Sequence, residues 1–268
     1  MNVSPIPAPS DSSKYTVERI VDVHHWTDRL FTIRCTRSRG FRFANGQFVM
    51  MGLDVDGQQI TRAYSMASAN HEDTLEFFSI KVENGPLTSR LQHVVVGDHL
   101  LVGKRATGTL TVGNLRPGKR LWLVATGTGL APFLSVIKDP ETYERFDRVI
   151  LTHTCRNVDD LAYARFIEHE LPSSELLGDV VRPRLLYYPS VTRQPFRTTG
   201  RITELLASGR ASADLGLPAL DSKEDRVMIC GNPEMLKETS TLLEARGFEE
   251  GNSGEPGDYL VEKAFVVK

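Results

Sequence analysis

The run Arg62-Ala63-Tyr64-Ser65 puts a cationic fork, a planar aromatic and a hydroxyl within four residues. In a strand, residues two apart share a face, so Arg62 and Tyr64 project together. The guanidinium suits bidentate contact with a pyrophosphate. The phenol ring suits stacking on a flat heterocycle. Together they could hold a flavin dinucleotide; alone they are equally an Arg–Tyr pair on a half-exposed strand. A second run, Phe78-Ser79-Ile80-Lys81-Val82, precedes Gly85-Pro86-Leu87-Thr88-Ser89. Gly85 frees the backbone for close approach, and Leu87, Thr88 and Ser89 start a short helix whose N–H groups and hydroxyls suit phosphate. In isolation this second segment reads as a turn and a helix cap. Its position some twenty residues after Arg62 brings phosphate back into play.

Ala125-Thr126-Gly127-Thr128-Gly129-Leu130-Ala131-Pro132 sits at a strand-to-helix turn. The dinucleotide fingerprint Gly-x-Gly-x-x-Gly fails there, because its third position is Pro132. The turn still lets a pyrophosphate approach the backbone, and Pro is tolerated in a first helical turn. Arg156 follows Thr154-Cys155, Arg193 follows Thr192, and Arg201 follows Gly200. Two arginines converging at a strand's C-terminal end would select a 2′-phosphate, whereas NAD sites place a carboxylate on the ribose hydroxyls. No Asp or Glu lies between Tyr187 and Arg201. That pattern favours NADP over NAD, with Arg197 read as a solvated surface residue. Cys230-Gly231-Asn232-Pro233-Glu234-Met235 closes the series. A lone thiol is commonly a buried structural group, so Cys230 is read as positioning a ligand and not as a nucleophile.

These motifs need elements to hold them. Segments 15–25, 30–37, 47–53, 61–67, 74–82 and 99–103 are rich in Val, Ile, Phe and Tyr, with Asn-Gly and Asp-Gly turns between them. Many short strands and one brief helix at 87–94 predict an antiparallel barrel. Residues 113–118 read as a linker. Strands at 120–125, 148–154, 185–188, 226–230 and 259–264 then alternate with helices at 130–138, 158–171, 203–207 and 233–246. That alternation predicts an α/β domain on a parallel sheet, with nucleotide sites at strand C-termini.

The expected organisation is a disordered arm at 1–14, an FAD-binding barrel at 15–115, and an NADP-binding domain at 116–268. A length of 268 residues suits two domains. The net charge of −2 gives no basic field for nucleic acid, and no apolar run is long enough to span a membrane. Cys35, Cys155 and Cys230 lie too far apart in sequence for a zinc or iron–sulfur site. Sparse thiols fit a reducing cytoplasm, and a monomer is expected.

Taken in order, the motifs resemble the ferredoxin–NADP reductase family, its bacterial branch in particular. The resemblance implies Arg62 on the FAD pyrophosphate, Tyr64 stacked on the isoalloxazine and Ser65 near flavin N5. It adds Ala63, Phe78, Ser79, Ile80, Lys81, Leu87, Thr88 and Ser89 to the FAD site. It sets Thr126, Gly127 and Thr128 at the nicotinamide end, Thr128 also touching flavin, and Cys155 with Arg156 near the ribose and pyrophosphate. Thr192, Arg193 and Arg201 match the 2′-phosphate clamp. Cys230, Gly231, Asn232, Glu234 and Met235 match the turn beside the nicotinamide. The tail Ala264-Phe265-Val266-Val267-Lys268 replaces the terminal Tyr of plant-type members. Ala264 is implied to face the isoalloxazine and Phe265 the adenine. Bacterial relatives often carry Glu where this chain has Val267, which puts a proton-relay role for the tail in doubt. Ser65, Tyr64, Cys230 and Ala264 are the implied catalytic set.

The implied chemistry is hydride transfer between nicotinamide C4 and flavin N5, then single-electron steps through a semiquinone to a separate ferredoxin or flavodoxin. A reductase component of an oxygenase and a flavin reductase share this plan, and a barrel-based binding module for oligonucleotide or sugar is a different class. Arg29, Arg34, Arg37, Arg39 and Arg42 fall within fourteen residues free of Asp and Glu. They are expected either to steer an acidic carrier or to protect a solvated strand edge.

Overall fold

The computed structural model describes residues 14–262. The expected arm up to residue 13 and the tail residues Ala264, Phe265, Val266, Val267 and Lys268 lie outside the described residues. Six strands form the first sheet: β1 Tyr15–His25, β2 Leu30–Thr36, β3 Phe48–Val55, β4 Gln58–Ser65, β5 Thr74–Ile80 and β6 His99–Gly103. Their spatial order is β4-β3-β6-β1-β2-β5, antiparallel throughout. An isolated Met66–Phe77 bridge brings the end of β4 back to β5, which curls the sheet into the predicted barrel. Phe31, Ile33, Met51, Phe77 and Leu100 fill its interior. Helix α1, Thr88–Leu91, is shorter than predicted and buries Leu91 in that core.

The second sheet comprises β7 Arg120–Thr126, β8 Arg148–Cys155, β9 Leu185–Val191, β10 Asp225–Cys230 and β11 Tyr259–Val261. All its pairings are parallel, in the order β11-β10-β7-β8-β9. Strands buried on both faces read as unbroken apolar runs, and Leu121–Ala125 of β7 is such a run. Helices α2 Ala131–Ile137, α3 Pro140–Arg145, α4 Gly178–Val181, α5 Ile202–Ala207, α6 Arg210–Asp214 and α7 Pro233–Ala245 pack around it. The short α3, α4 and α6 carry too few turns to show a period in sequence.

Two expectations need correction. Residues 158–171 are not one helix: a 3-10 turn at Val158–Asp160 leads to Tyr163 at φ 63°, then a π-helical turn at Phe166–Glu170. The apolar spacing is helical, but a tertiary contact of Tyr163 wins over it. The segment 113–118 is also no loose linker. Leu115 is buried, and Arg116 N and Gly257 N bond to Gly257 and Asn114 carbonyls. Arg116 is further held by Glu249 at 2.6 Å and Asp258 at 3.3 Å.

Tyr163 joins the second half of the chain to the barrel. Trp26 Nε1 donates to Thr32 Oγ1 at 2.8 Å, and Tyr163 donates to Glu76 Oε1 at 2.8 Å. An indole can only donate and an ionised carboxylate only accept. The Thr32 hydroxyl therefore donates to Tyr163 Oη, 2.7 Å away. Arg34 completes the chain on Glu76 Oε2 at 2.7 Å. The Tyr163 ring packs at a tilt against Trp26, with centroids 4.6 Å apart, and meets Phe78 edge-on at 5.3 Å. A second polar seam lies at Asn45, which donates to Asp139 at 2.6 Å and accepts from Ser135 at 2.9 Å. Lys138 pairs with Glu72 beside it. Leu30, Ala67 and Phe78 of the barrel share one apolar cluster with Leu130, Phe133 and Leu151.

Tyr163→Phe keeps the ring but strands the Thr32 proton and one Glu76 oxygen, both in buried side chains. We expect it to lower the unfolding free energy by about 1–3 kcal/mol, measured by urea denaturation. Undiminished stability would show that water replaces the lost hydroxyl.

Candidate active site

Parallel pairing sets the C-terminal ends of β7, β8, β9 and β10 on one edge of their sheet. That edge faces the barrel across a cleft of about 990 Å³. The barrel wall contributes Arg62, Ala63, Tyr64 and Ser65 from β4, Phe78, Ser79 and Ile80 from β5, and Thr88 from α1. The opposite wall holds Thr126, Gly127, Thr128, Cys155, Arg156, Thr192, Arg193, Arg201, Cys230, Gly231, Asn232, Glu234 and Met235. These are residues that the sequence motifs single out, and they now meet in one place.

On the barrel wall, Tyr64 pairs with Val49 and Arg62 with Met51, so both project to the same side of β4. The Tyr64 hydroxyl lies 3.0 Å from Ser79 Oγ, which fixes the ring. Burial pushes its pKa up, partly offset by that bond, so it stays a neutral phenol. Ser65 is buried, and its Oγ has no hydrogen-bond partner among the described residues. Such a group costs about 1–3 kcal/mol unless something completes it. Its place on the cleft wall fits a ligand with a polar atom at that spot. Arg62 is exposed and spends one donor on Thr61 O at 2.8 Å, leaving the rest of its fork for an anion.

Close backbone approach shapes the opposite wall. A Cβ on Gly129 would lie 2.3 Å from Cys230 O, and one on Gly231 2.1 Å from Thr126 Oγ1. Only glycine lets these two turns touch, and Gly231 also sits at φ 144°. Thr126 Oγ1 then accepts from Asn232 N at 2.8 Å, tying the turns together. Asn232 in turn caps α7 through Glu234 N at 2.8 Å. Below this edge His153 is fully buried, bonded to Gly127 O at 3.2 Å and Tyr187 Oη at 3.3 Å. Burial lowers its pKa to about 4, so a neutral imidazole braces the Gly127 turn. Burial likewise pushes the Cys155 thiol up to about 12 and raises that of Cys230. Neither is therefore a thiolate.

The arginines converge through backbone bonds. Arg193 N donates to Arg156 O at 3.0 Å, and Thr192 N to Cys155 O at 3.1 Å. Gly200 N donates to Val191 O at 3.1 Å, which returns the chain so that Arg201 reaches the same region. Among the described residues no carboxylate stands within ion-pair distance of Arg62, Arg156 or Arg193. Arg201 has one loose contact, 3.9 Å from Glu238. Arg197 pairs with Glu168 and lies outside the cleft.

Lys81, Leu87 and Ser89 do not line the cleft. Leu87 is buried in the barrel core, where an apolar side chain on a helix start gains more than at a phosphate site. Arg29, Asp160, Thr203 and Glu238 line it unanticipated. Arg29 arrives because its carbonyl accepts from Lys81 N at 2.7 Å, a pairing invisible along the chain. The expected arginine cluster is divided among other tasks. Arg34 pairs with Glu76, Arg37 bonds the carbonyls of Asn70, Glu72 and Phe41, and Arg42 bonds those of Arg39 and Phe41.

Comparison with known proteins agrees with this geometry. The oxidoreductase FAD-binding domain model matches residues 15–110, and the oxidoreductase NAD-binding domain model residues 123–241. The chain is 74% identical to ferredoxin–NADP reductase A of Sorangium cellulosum, over 94% of this chain and 91% of the relative. It is 57% identical to the ferredoxin–NADP reductase of Pseudomonas aeruginosa, over 96% of this chain and 100% of the relative. The crystal structure of a Neisseria gonorrhoeae ferredoxin NADP+ reductase with bound FAD and NADP superposes with a TM-score of 0.86 at 33% identity. That match covers 95% of this chain and 100% of the other. With its two-sheet cleft, its motif order and these relatives, the chain belongs to the ferredoxin–NADP reductase family.

Proposed function

We propose that the chain is an FAD-dependent oxidoreductase that moves electrons between NADP(H) and ferredoxin or flavodoxin. The observation that carries this reading is the cleft itself. Among the described residues, a buried, unpartnered Ser65 hydroxyl and a fixed Tyr64 ring stand on one wall, and Arg156 and Arg193 without carboxylate partners on the other. The chemistry supplied by bound FAD is hydride exchange with a nicotinamide and single-electron exchange with a carrier.

On this reading Arg62 binds the FAD pyrophosphate through its uncommitted donors, and Thr88 adds a hydroxyl. Tyr64, locked by Ser79, offers its face to the flavin ring, and Ser65 hydrogen-bonds a ring heteroatom. The Gly127 and Gly231 turns admit the nicotinamide end of NADP(H) beside Cys230, whose neutral thiol fills space without attacking. Arg193 and Arg201, with Thr192, hold the 2′-phosphate, while Arg156 lies toward the ribose and pyrophosphate. Ala264 and Phe265 keep their proposed places at the flavin, although they lie outside the described residues.

No helix among the described residues is long and apolar enough to cross a membrane. Three buried free thiols suit a reducing compartment, and we place the enzyme in the cytoplasm as a monomer. Size-exclusion chromatography checks the last point.

Two measurements test the assignment. Each charge-assisted contact to a 2′-phosphate is worth about 1.5–3 kcal/mol. The double variant Arg193→Ala, Arg201→Ala is therefore expected to lose most of the preference for NADPH over NADH in kcat/KM. A preference as strong as in the unmodified enzyme would move the phosphate site elsewhere. Arg62→Ala is expected to lose FAD faster on dialysis, followed by absorbance of the retained flavin. Equal retention would remove Arg62 from the pyrophosphate.

A further inference from the structure

We propose that Glu238 limits how strongly this enzyme discriminates NADP(H) from NAD(H), by competing with the 2′-phosphate for Arg201. The proposal rests on the reading of Arg193 and Arg201 as phosphate contacts. Glu238 stands on α7 and lines the cleft beside Arg201 and Thr203, which open α5. One carboxylate oxygen, Oε2, accepts from Thr203 Oγ1 at 2.8 Å, which holds the group in place. The other, Oε1, lies 3.9 Å from Arg201 Nη1. That separation gives Coulombic attraction without a hydrogen bond. The two side chains are 61% and 46% exposed, so the pair is weak and Arg201 can leave it.

A negative charge is thus fixed at the edge of a cluster built from Arg156, Arg193 and Arg201. A 2′-phosphate carries close to two negative charges. To use Arg201 it must draw the guanidinium from Glu238, and the attraction given up is subtracted from its binding. A free ribose 2′-hydroxyl meets no such cost, since it can donate to a carboxylate as in NAD sites. Glu238 therefore weakens the phosphorylated ligand and spares the unphosphorylated one. A buried, hydrogen-bonded Glu–Arg pair would have done the reverse and organised Arg201 for phosphate. The long contact and the exposure argue against that.

Glu238→Gln removes the charge while keeping an acceptor for Thr203. Dissociation constants of adenosine 2′,5′-bisphosphate and 5′-AMP, measured by calorimetry on the FAD-loaded enzyme, provide the test. E238Q is expected to bind the bisphosphate roughly three- to tenfold tighter, the scale of one unit-charge interaction at about 4 Å in water. 5′-AMP should bind no tighter. In an Arg201→Ala background the gain should shrink toward nothing. An unchanged or weaker bisphosphate affinity in E238Q would overturn the proposal, leaving Glu238 a bystander or an organiser of Arg201. A gain that persists undiminished without Arg201 would also overturn it, because direct repulsion and not competition would then be at work. Should Arg193→Ala and Arg201→Ala each leave bisphosphate binding unaltered, the phosphate assignment itself is wrong, and the proposal falls with it.

Discussion

The hydroxyl of Tyr163 is the point on which the two halves of the cleft are referenced to each other. It accepts from Thr32 and donates to Glu76, both on barrel strands, while its own backbone belongs to the parallel-sheet half. Trp26 and Arg34 close the ends of the chain, so every donor and acceptor in it has a partner. Buried polar chains that are complete in this way specify one arrangement, since any sliding of the halves breaks several bonds at once. Tyr163 also adopts φ 63°, a conformation that costs a non-glycine residue of order 1–3 kcal/mol. The hydrogen bonds and the ring contacts with Trp26 and Phe78 offset that cost. Because Phe78 lines the cleft, the same contact that joins the halves also sets one of its walls.

Given that reference, the cleft controls its ligands by position more than by titration. His153 at about 4 and Cys155 at about 12 keep one protonation state across physiological pH. Tyr64 is likewise held as a phenol. Such groups offer fixed donors, acceptors and surfaces, which suits a reaction whose electrons are carried by bound nucleotides. The Gly129 and Gly231 approaches have the same logic. A side chain at either would push the β7 and β10 turns apart and change the shape of that end of the cleft.

Much of this was legible in the residues because it depends on local chemistry. The Arg62–Tyr64 spacing is a property of any strand, and the glycines at 127, 129 and 231 announce turns before helices. Strand runs such as that of β7 and the cap of α7 are also local signals. What escaped depends on which distant segments meet. Arg29 reaches the cleft through a backbone pairing with Lys81, and Glu238 through α7 packing beside the start of α5. The broken helix at 158–171 carries a helical apolar pattern, and only the partners of Tyr163 explain why it breaks. Leu87 and Ser89 are read at the flavin through the N–H groups of a helix start and the family resemblance, and their side chains do not line the cleft. A helical turn points neighbouring side chains in different directions, and Leu87 faces the core.

Charge tells the same story at the scale of the whole molecule. The net charge of −2 conceals arginines in two populations. Away from the cleft, several are held by specific carboxylates: Asp225 holds Arg120 at 2.6 Å, Glu249 and Asp258 hold Arg116, and Glu76 holds Arg34, while Arg37 and Arg42 bond backbone carbonyls. Asp225 also accepts from Trp122 Nε1, so this neutralisation is built into the sheet. At the cleft, among the described residues, Arg62, Arg156 and Arg193 are left without such partners, and Arg201 has the one long contact to Glu238. An anion outside the cleft is screened from charges more than a Debye length away. Inside the cleft it meets several uncompensated guanidinium groups between low-dielectric walls, where fields are focused. The basic character of the site therefore comes from guanidinium groups that are brought together there without close ion pairs among the described residues. Asp160, Glu234 and Glu238 also line the cleft, and of these Glu238 is the one set against an arginine of the cluster, 3.9 Å from Arg201, where its charge acts directly on the proposed phosphate contact.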